Sequence, residues 1–196
     1  RRLIVGGGFQ EILTYSLVGR DRLALLTPGA PLTVEPLGVA NPMSRDQEYL
    51  RTSLRASLLD ALSRNRRREQ APTRVFELSR VYLPREDALP DERETLCAVL
   101  SGGAVPLSWH HGERRLDFYD AKGAVESLLT MCGVDASYVP SQDPGLFPGR
   151  QAEIVVDSER VGVVGQLHLS VAHAFEVDED TFIFELDVAT LMQHAR

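Results

Sequence analysis

The sequence nearly lacks lysine: of its 21 basic residues, 20 are arginine and only Lys122 is lysine. Arginine therefore serves at ordinary surface positions as well, so a local run of arginines is a weak indication of a phosphate site. A position that keeps lysine is expected to need a compact ammonium group, because the two cations are not interchangeable. The 28 acidic residues give a net charge of −7, which disfavours broad, sequence-independent binding to nucleic acid.

Cysteine is also scarce, and long apolar runs are missing. Cys97 and Cys132 are far apart and each lies in an apolar stretch, which predicts buried free thiols. No apolar run approaches the roughly 18 to 20 residues of a membrane-spanning helix, and the start "RRLIVGGG" lacks the features of a signal peptide. We therefore expect a soluble, cytoplasmic protein without a membrane partner. The sequence begins without Met and within an apolar and basic run, which suggests that it is a piece of a longer polypeptide.

The motifs of common catalytic and ligand sites are absent as well. The glycines at 6–8 fit neither GxGxxG nor GxxxxGK[ST], so they predict a helix end or a tight turn. The histidines at 110–111, 168 and 173 have no metal-ligand spacing, and no GxSxG is present. The motifs thus point to no catalytic, cofactor-binding or metal-ligating residue.

Four leucines at every fourth position predict an amphipathic helix. They are Leu50, Leu54, Leu58 and Leu62, with Leu59 and Ala61 beside them. This stripe is expected to pack on a sheet. The arginines at 64 and 66–68 follow at the end of the helix, where cations complement the negative end of the helix dipole. We expect these arginines to be exposed, which would explain an arginine-rich stretch without any phosphate ligand.

The remaining periodic segments predict an α+β fold. Strands are expected at 9–18, 31–39, 73–83, 95–102, 151–157, 160–169 and 181–191. Segments 73–83 and 95–102 are expected to pair antiparallel, joined by a solvated acidic connector at 84–93. Because strands and helices do not alternate regularly, we predict a mostly antiparallel sheet with helices on one side. A chain of 196 residues can bury roughly 70% of its unfolded surface in one core, so one domain suffices.

One compact charge constellation lies at the start of a predicted helix over 118–133. Asp120 is the candidate N-cap of this helix, and Gly133 is placed to end it. Asp117 and Asp120 lie near Lys122, whose charge opposes the dipole in a first helical turn. Either the ammonium meets a substrate group there or it forms a structural pair with a carboxylate or with carbonyl oxygens. We favour the structural pair.

Six blocks, in order and across nearly the whole chain, resemble one domain of the bacterial phenylalanyl-tRNA synthetase beta subunit. The blocks are "GFQEILTYSLV", "NPMSRDQEYLRTSLRASLLDAL", "RVFELSRVY", "LDFYDAKGAVESLL", "FPGRQAEIVV" and "VGVVGQLHLSV" with "FELDVATL". The resemblance implies a class II aminoacyl-tRNA synthetase fold, an antiparallel sheet flanked by helices. It also implies that residues 1–196 are one catalytic-like domain of a longer beta subunit.

The partners and cofactors that this resemblance implies belong to an assembled enzyme. They are an alpha subunit and a second beta subunit in an (αβ)₂ tetramer, with tRNA bound at the level of the complex. ATP and magnesium are implied for that assembly, and no cofactor is expected in this fragment. In the family the alpha subunit, not this beta domain, forms the aminoacyl-adenylate.

The motifs of this chain agree with a catalytically silent copy. If "SRVYLPRED" corresponds to the second class II motif, Leu83 stands where its arginine would be and Arg85 where an acidic residue is usual. The glycine-rich third motif is missing, and "GFQEILTYSLV" lacks the proline of the first motif. Adenylate formation needs positive charge placed against the phosphates. We therefore expect a non-catalytic scaffold and subunit-interaction domain.

Two other functions stay open at this point. An active ATP-dependent, adenylate-forming enzyme would need arginines that converge on one pocket of the sheet. A standalone nucleic-acid-binding module would need a basic surface, against the net charge of −7. The side chains on the concave face of the sheet distinguish these possibilities, because the face either presents arginines to a pocket or is filled with apolar residues.

Overall fold

A computed structural model describes residues 1–67, 72–86, 89–104, 114–178 and 180–195. The helices are α1 (Arg2–Gly6), α2 (Arg20–Ala24), α3 (Arg55–Arg66), α4 (Phe118–Met131), α5 (Leu169–Ala174) and α6 (Val188–His194), with a 3₁₀ turn at Arg45–Gln47. The strands are β1 (Gln10–Glu11), β2 (Leu17–Val18), β3 (Tyr49–Leu50), β4 (Thr73–Leu83), β5 (Asp91–Ser101), β6 (Ser137–Pro140), β7 (Leu146–Val156), β8 (Glu159–Leu167) and β9 (Thr181–Asp187). No helix within the described ranges is long and apolar enough to cross a membrane.

Seven strands form one sheet in the order β1-β4-β5-β9-β8-β7-β6. The short edge strand β1 pairs with β4 in parallel, whereas the other neighbours pair antiparallel. Strands β2 and β3 form a separate small antiparallel pair. The predicted α+β fold with a mostly antiparallel sheet is confirmed, including the pairing of β4 with β5.

Both faces of the sheet are buried, so the prediction of helices on one side is wrong. We call them the α4 face, where Phe184 packs with α4 residues, and the α3 face, where Ile183 packs with α3 residues. The reason lies in the central strands, which place apolar residues at successive positions and so present them to both sides. A sheet of this kind needs helices on each face.

The leucine stripe forms the predicted helix, but the helix begins later than expected. Leu54, Leu58 and Leu62 are fully buried against the α3 face. Leu50 lies in β3 instead, opposite Leu17 of β2, so the fourfold spacing extends past the start of the helix at Arg55.

The arginines at the end of α3 are exposed in part, as predicted. Arg64 and Arg67 are exposed. Arg66 is half-buried and forms an ion pair with Asp178 at 2.6 Å, which corrects the expectation for that residue. Position 68 lies outside the described residues.

Helix α4 confirms the predicted helix but not its predicted N-cap. Asp117 is the N-cap, and its carboxylate accepts hydrogen bonds from the backbone N–H groups of Tyr119 and Asp120. Asp120, three residues later, accepts from the backbone N–H of Asp117 at 2.8 Å and completes a capping box. Gly133 ends the helix with φ of 70°, as its position predicted.

Several predicted strand boundaries are wrong. The segment 9–18 contains only the short strands β1 and β2, and 31–39 contributes an isolated bridge at Gly38. Strand β5 begins within the predicted connector 84–93, and the segment 181–191 changes from strand to helix at Asp187, whose carboxylate caps α6. These boundaries depend on pairing partners and caps, which local periodicity does not specify.

Candidate functional site

Two adjoining cavities lie where α3 leaves part of its sheet face uncovered. The first, of about 430 Å³, has an apolar wall of Leu23, Leu26, Leu32 and Val34. The second, of about 410 Å³, includes Leu83 and Thr95 in its lining. Both cavities are lined by Thr52, Ser53, Arg160 and Glu185, which connect them across the middle of the sheet.

A row of three cross-strand neighbours runs beneath this region. Glu77 of β4 lies opposite Cys97 of β5, and Cys97 lies opposite Glu185 of β9. Their side chains share the α3 face because side chains directly opposite one another project to the same side of a sheet. Two carboxylates thus project from the same face of the sheet towards a hydrophobic core and need cationic partners.

Arg55, in the first turn of α3, is the partner of Glu185. Its Nε lies 2.8 Å from Glu185 Oε2, and its Nη1 lies 2.7 Å from Asp143 Oδ2. Ser53 Oγ donates to the other oxygen of Glu185 at 3.1 Å. Burial alone would lower the pKa of Arg55, but the carboxylates of Glu185 and Asp143 outweigh it and raise that pKa. The guanidinium is therefore permanently charged and joins α3, β9 and the loop before β7.

Arg51, four residues earlier, is the partner of Glu77. The side chain of Arg51 is only 1% exposed, and its Nη1 lies 2.9 Å from Glu77 Oε1. The same guanidinium donates to Ser79 Oγ at 2.6 Å, to the carbonyl oxygen of Arg80 at 3.0 Å and to Thr14 Oγ1 at 2.9 Å. Every side of this buried cation is thus hydrogen-bonded. The arrangement is a structural anchor between β4 and the segment before β2.

The other arginines that line the cavities are also paired with carboxylates. Arg93 lies 2.8 Å from Asp91, and Arg160 lies 3.2 Å from Glu153. Each cavity is lined by three acidic residues and two arginines, so negative charge exceeds positive charge in both. On the α3 face, apolar residues of α3 pack against the sheet. The arginines that line the two cavities already have carboxylate partners.

Lys122 lies apart from these cavities, on α4 and in its second turn. It forms an ion pair with Glu126 and lies 4.3 Å above the ring of Tyr138. The predicted carboxylate partner is confirmed, but it is neither Asp117 nor Asp120, since Asp120 pairs with Arg114 at 2.7 Å. Burial raises the pKa of Tyr138, and the charge of Glu126 adds a smaller effect, which together bring it to about 12.

The histidines and cysteines form no reactive cluster within the described ranges. His168 caps α5, His173 lies in the last turn of that helix, and positions 110–111 lie outside the description. No group of three or more His, Cys, Asp or Glu residues in the described part of the chain could hold a metal ion. Cys97 is a buried free thiol as predicted, whereas Cys132 is only partly buried. Burial, and then Glu185, raise the pKa of Cys97 well above its usual value.

The five charged residues that organise the α3 face were not singled out from the sequence. They are Arg51, Arg55, Glu77, Asp143 and Glu185. A usable signal was present, because Glu77 and Glu185 interrupt the apolar strand segments "RVFEL" and "FIFEL". A charge in a strand that is buried on both faces requires a buried partner.

Comparisons with known proteins find one family whose sequences are similar to this chain. A family model described as the phenylalanyl tRNA synthetase beta chain CLM domain matches residues 1–188. Among curated proteins, the phenylalanine–tRNA ligase beta subunit of Dehalococcoides mccartyi is 43% identical over 195 residues, which cover 100% of this chain and 24% of that protein. The beta subunit of Symbiobacterium thermophilum is 40% identical over 198 residues, covering 98% of this chain and 22% of the relative. The chain thus spans about a quarter of the length of these curated relatives.

A solved structure shows the same fold at low sequence identity. The pyrrolysyl tRNA synthetase PylSc of Desulfitobacterium hafniense superimposes with a TM-score of 0.72 at 15% identity, covering 100% of this chain and 69% of that chain. The predicted class II synthetase-like fold is therefore confirmed.

Proposed function

The chain belongs to the family of the phenylalanyl-tRNA synthetase beta chain CLM domain, and from this premise we propose that it is a non-catalytic scaffold and subunit-interaction domain. Residues 1–196 would form one catalytic-like domain of a longer, cytoplasmic beta subunit. It would support the ATP-dependent attachment of phenylalanine to its tRNA by an assembled alpha/beta enzyme.

The charge pattern of the α3 face is the observation that carries this proposal. A triphosphate requires positive charge that is free to meet it, and the transition state of adenylate formation requires still more. Arg55, Arg93 and Arg160 are each held by carboxylates, and acidic residues are in excess in both cavities. The lining of the two cavities therefore offers the phosphates of ATP no arginine that lacks a carboxylate partner. Leu83, where the resemblance expects an arginine, contributes an apolar lining to the second cavity.

The segment between β1 and β2 supports the proposed role in subunit contact. Leu13 is 79% exposed and Tyr15 is 77% exposed. Thr14, between them, donates to the buried Glu77 at 2.6 Å and accepts from Arg51. The backbone is thus fixed from below while two large apolar side chains project outward, beside a groove of about 610 Å³. Exposed aromatic and aliphatic side chains on a fixed backbone are typical of interface anchors.

Titration of the chain against a purified alpha subunit tests this role. We expect a complex by sedimentation, and Leu13→Asp with Tyr15→Asp should weaken it by at least about tenfold, since central interface anchors contribute roughly 2 kcal/mol or more. Met192→Asp is the matched control, because Met192 is 61% exposed but lies on α6. A strictly monomeric chain without affinity for the alpha subunit would contradict the proposal. Equal weakening by the control would contradict the assignment of the surface.

A further inference from the structure

We propose that a guanidinium site lies in the wall of the first cavity of the α3 face, and that the chain occupies this site with its own Arg55. The site consists of Glu185, Asp143 and Ser53, and its chemistry selects a small organic cation and disfavours a phosphate. This inference concerns the α3 face alone. It holds whether or not the chain binds an alpha subunit.

The geometry around Arg55 is that of a bound ligand. Glu185 accepts from Nε at 2.8 Å and Asp143 accepts from Nη1 at 2.7 Å, so two different carboxylates hold two different edges of one planar group. The two acidic residues come from separate parts of the chain, the central strand β9 and the loop before β7. Charge-assisted hydrogen bonds to a guanidinium at these distances are strong and directional.

Both carboxylates are positioned by contacts that do not involve Arg55. Glu185 lies in the middle of β9, between β5 and β8, and accepts a hydrogen bond from Ser53 Oγ at 3.1 Å. The other oxygen of Asp143 accepts from the backbone N–H of Gly145 at 2.9 Å. The backbone N–H of Asp143 donates to Gln151 Oε1 at 2.8 Å. The acceptors should therefore stay in place when the arginine side chain is removed.

The loop that carries Asp143 is held close to its neighbours. A Cβ added at Gly145 would lie 2.5 Å from the carbonyl oxygen of Leu26 and 3.6 Å from Arg55 Nη1. Any residue larger than glycine would push this loop away from the segment that follows α2.

An open cavity adjoins this site and defines what else could bind there. The same cavity of about 430 Å³ is lined by Arg55, Asp143 and Glu185, and its apolar wall is formed by residues such as Leu23 and Leu32. Loss of the Arg55 side chain would join its volume to this space. The favoured ligand is then a guanidinium or alkylammonium ion with a short apolar tail, whereas the carboxylates would repel phosphate.

Chemical rescue of Arg55→Ala tests the inference. The substitution removes the atoms of an ethylguanidinium ion and leaves two buried carboxylates without their cation, so the variant should melt at a lower temperature than the wild-type chain. Added ethylguanidinium should raise that melting temperature in a saturable manner, whereas sodium chloride at equal ionic strength should not. The wild-type chain should show no such rise, because its site is occupied.

Two further variants separate a specific site from a general salt effect. Arg160→Ala removes an arginine that lines the same cavity but forms an exposed pair with Glu153, and it should show no saturable rescue. Arg55→Ala combined with Glu185→Gln should lose the rescue, because one of the two charged acceptors is gone. If Arg55→Ala does not fold, refolding with ethylguanidinium should restore the native circular dichroism. Absence of saturable stabilisation and of restored folding, or equal rescue of Arg160→Ala, would overturn the proposal.

Discussion

At the scale of single residues, buried arginines are stable in this protein because carboxylates lie directly against them. The stretch from Arg51 to Arg55 directs two guanidinium groups to Glu77 and Glu185, on two strands of the same sheet face. Cys97 lies between these carboxylates. Taking charges out of water is costly, and only near-complete hydrogen bonding offsets that cost. This explains why Arg51 also binds Ser79 and Thr14.

Substitution of Arg51 should therefore be far more damaging than substitution of an exposed arginine. Arg51→Met leaves the carboxylate of Glu77 buried and unpaired, which is expected to cost about 3–5 kcal/mol in the free energy of unfolding. Arg80→Met, which breaks the exposed pair with Glu92, should cost only about 0–1 kcal/mol. Denaturant unfolding measures both values. Similar losses in the two variants would show that the buried pair is not an anchor, and Arg51→Met with Glu77→Leu should recover part of the loss.

At the scale of secondary-structure elements, side-chain caps mark where α4, α5 and α6 begin. Helix α4 starts at a capping box formed by Asp117 and Asp120, and Arg114 binds the carboxylate of Asp120 through two hydrogen bonds of 2.9 Å and 2.7 Å. The hydrogen bond from Arg114 lowers the pKa of Asp120, against the opposing effect of partial burial. Protonation of the Asp120 carboxylate would break the contacts that hold the start of the helix.

The lowered pKa of Asp120 predicts a pH dependence of stability. Because the folded pKa lies below the unfolded value, the stabilisation is complete well above pH 4 and is lost as the pH falls through the folded pKa. Asp120→Asn should therefore be less stable than the wild-type chain at pH 7, and the difference should shrink below about pH 4. Thermal melts across this range provide the measurement. The matched control is Asp135→Asn, because Asp135 lies beyond the end of α4 and outside the capping box; a difference that grows towards acid pH would refute the assignment.

At the scale of the whole molecule, the sheet separates two hydrophobic cores, one packed against α4 and the other against α3. The α3 face also has two cavities in which acidic residues outnumber arginines. Under the proposed function, the class II synthetase-like fold is kept while the cavities on its sheet offer no unpaired arginine among their described lining residues. In the proposed role, exposed side chains such as Leu13 and Tyr15 contact the alpha subunit.

The pure chain should accordingly not catalyse phenylalanine-dependent ATP–pyrophosphate exchange. Loss of even one preorganised electrostatic donor typically lowers the rate by about 10²- to 10³-fold, and the family resemblance implies that Leu83 stands in place of one such donor and that the third motif is missing. Leu83→Arg alone should not restore exchange, since the neighbouring arginines remain paired. An assembled alpha/beta phenylalanine–tRNA ligase is the positive control. Exchange that survives removal of contaminating synthetase, and disappears when Arg55 or Arg160 is replaced, would favour the adenylate-forming alternative.

The sequence by itself determined the family, the α+β class and the elements with strong periodicity. The buried leucines of α3, the long strand β4 and helix α4 could be predicted because their spacing repeats within one element. Composition also marked Lys122 as unusual, although its partner Glu126 was not foreseen. The spacing of apolar residues predicts these elements because burial on one face of a helix or strand imposes a period on the sequence.

Only the tertiary structure decided which distant residues meet. Glu77, Cys97 and Glu185 become neighbours through the order of β4, β5 and β9, and Asp143 reaches Arg55 from a segment 88 residues away. Three other features arise in the same way. Helices cover both faces of the sheet, Leu50 lies in β3, and the arginines that line the two cavities pair with carboxylates. Each depends on non-local pairing, whose free energy comes from contacts between segments that no local period encodes.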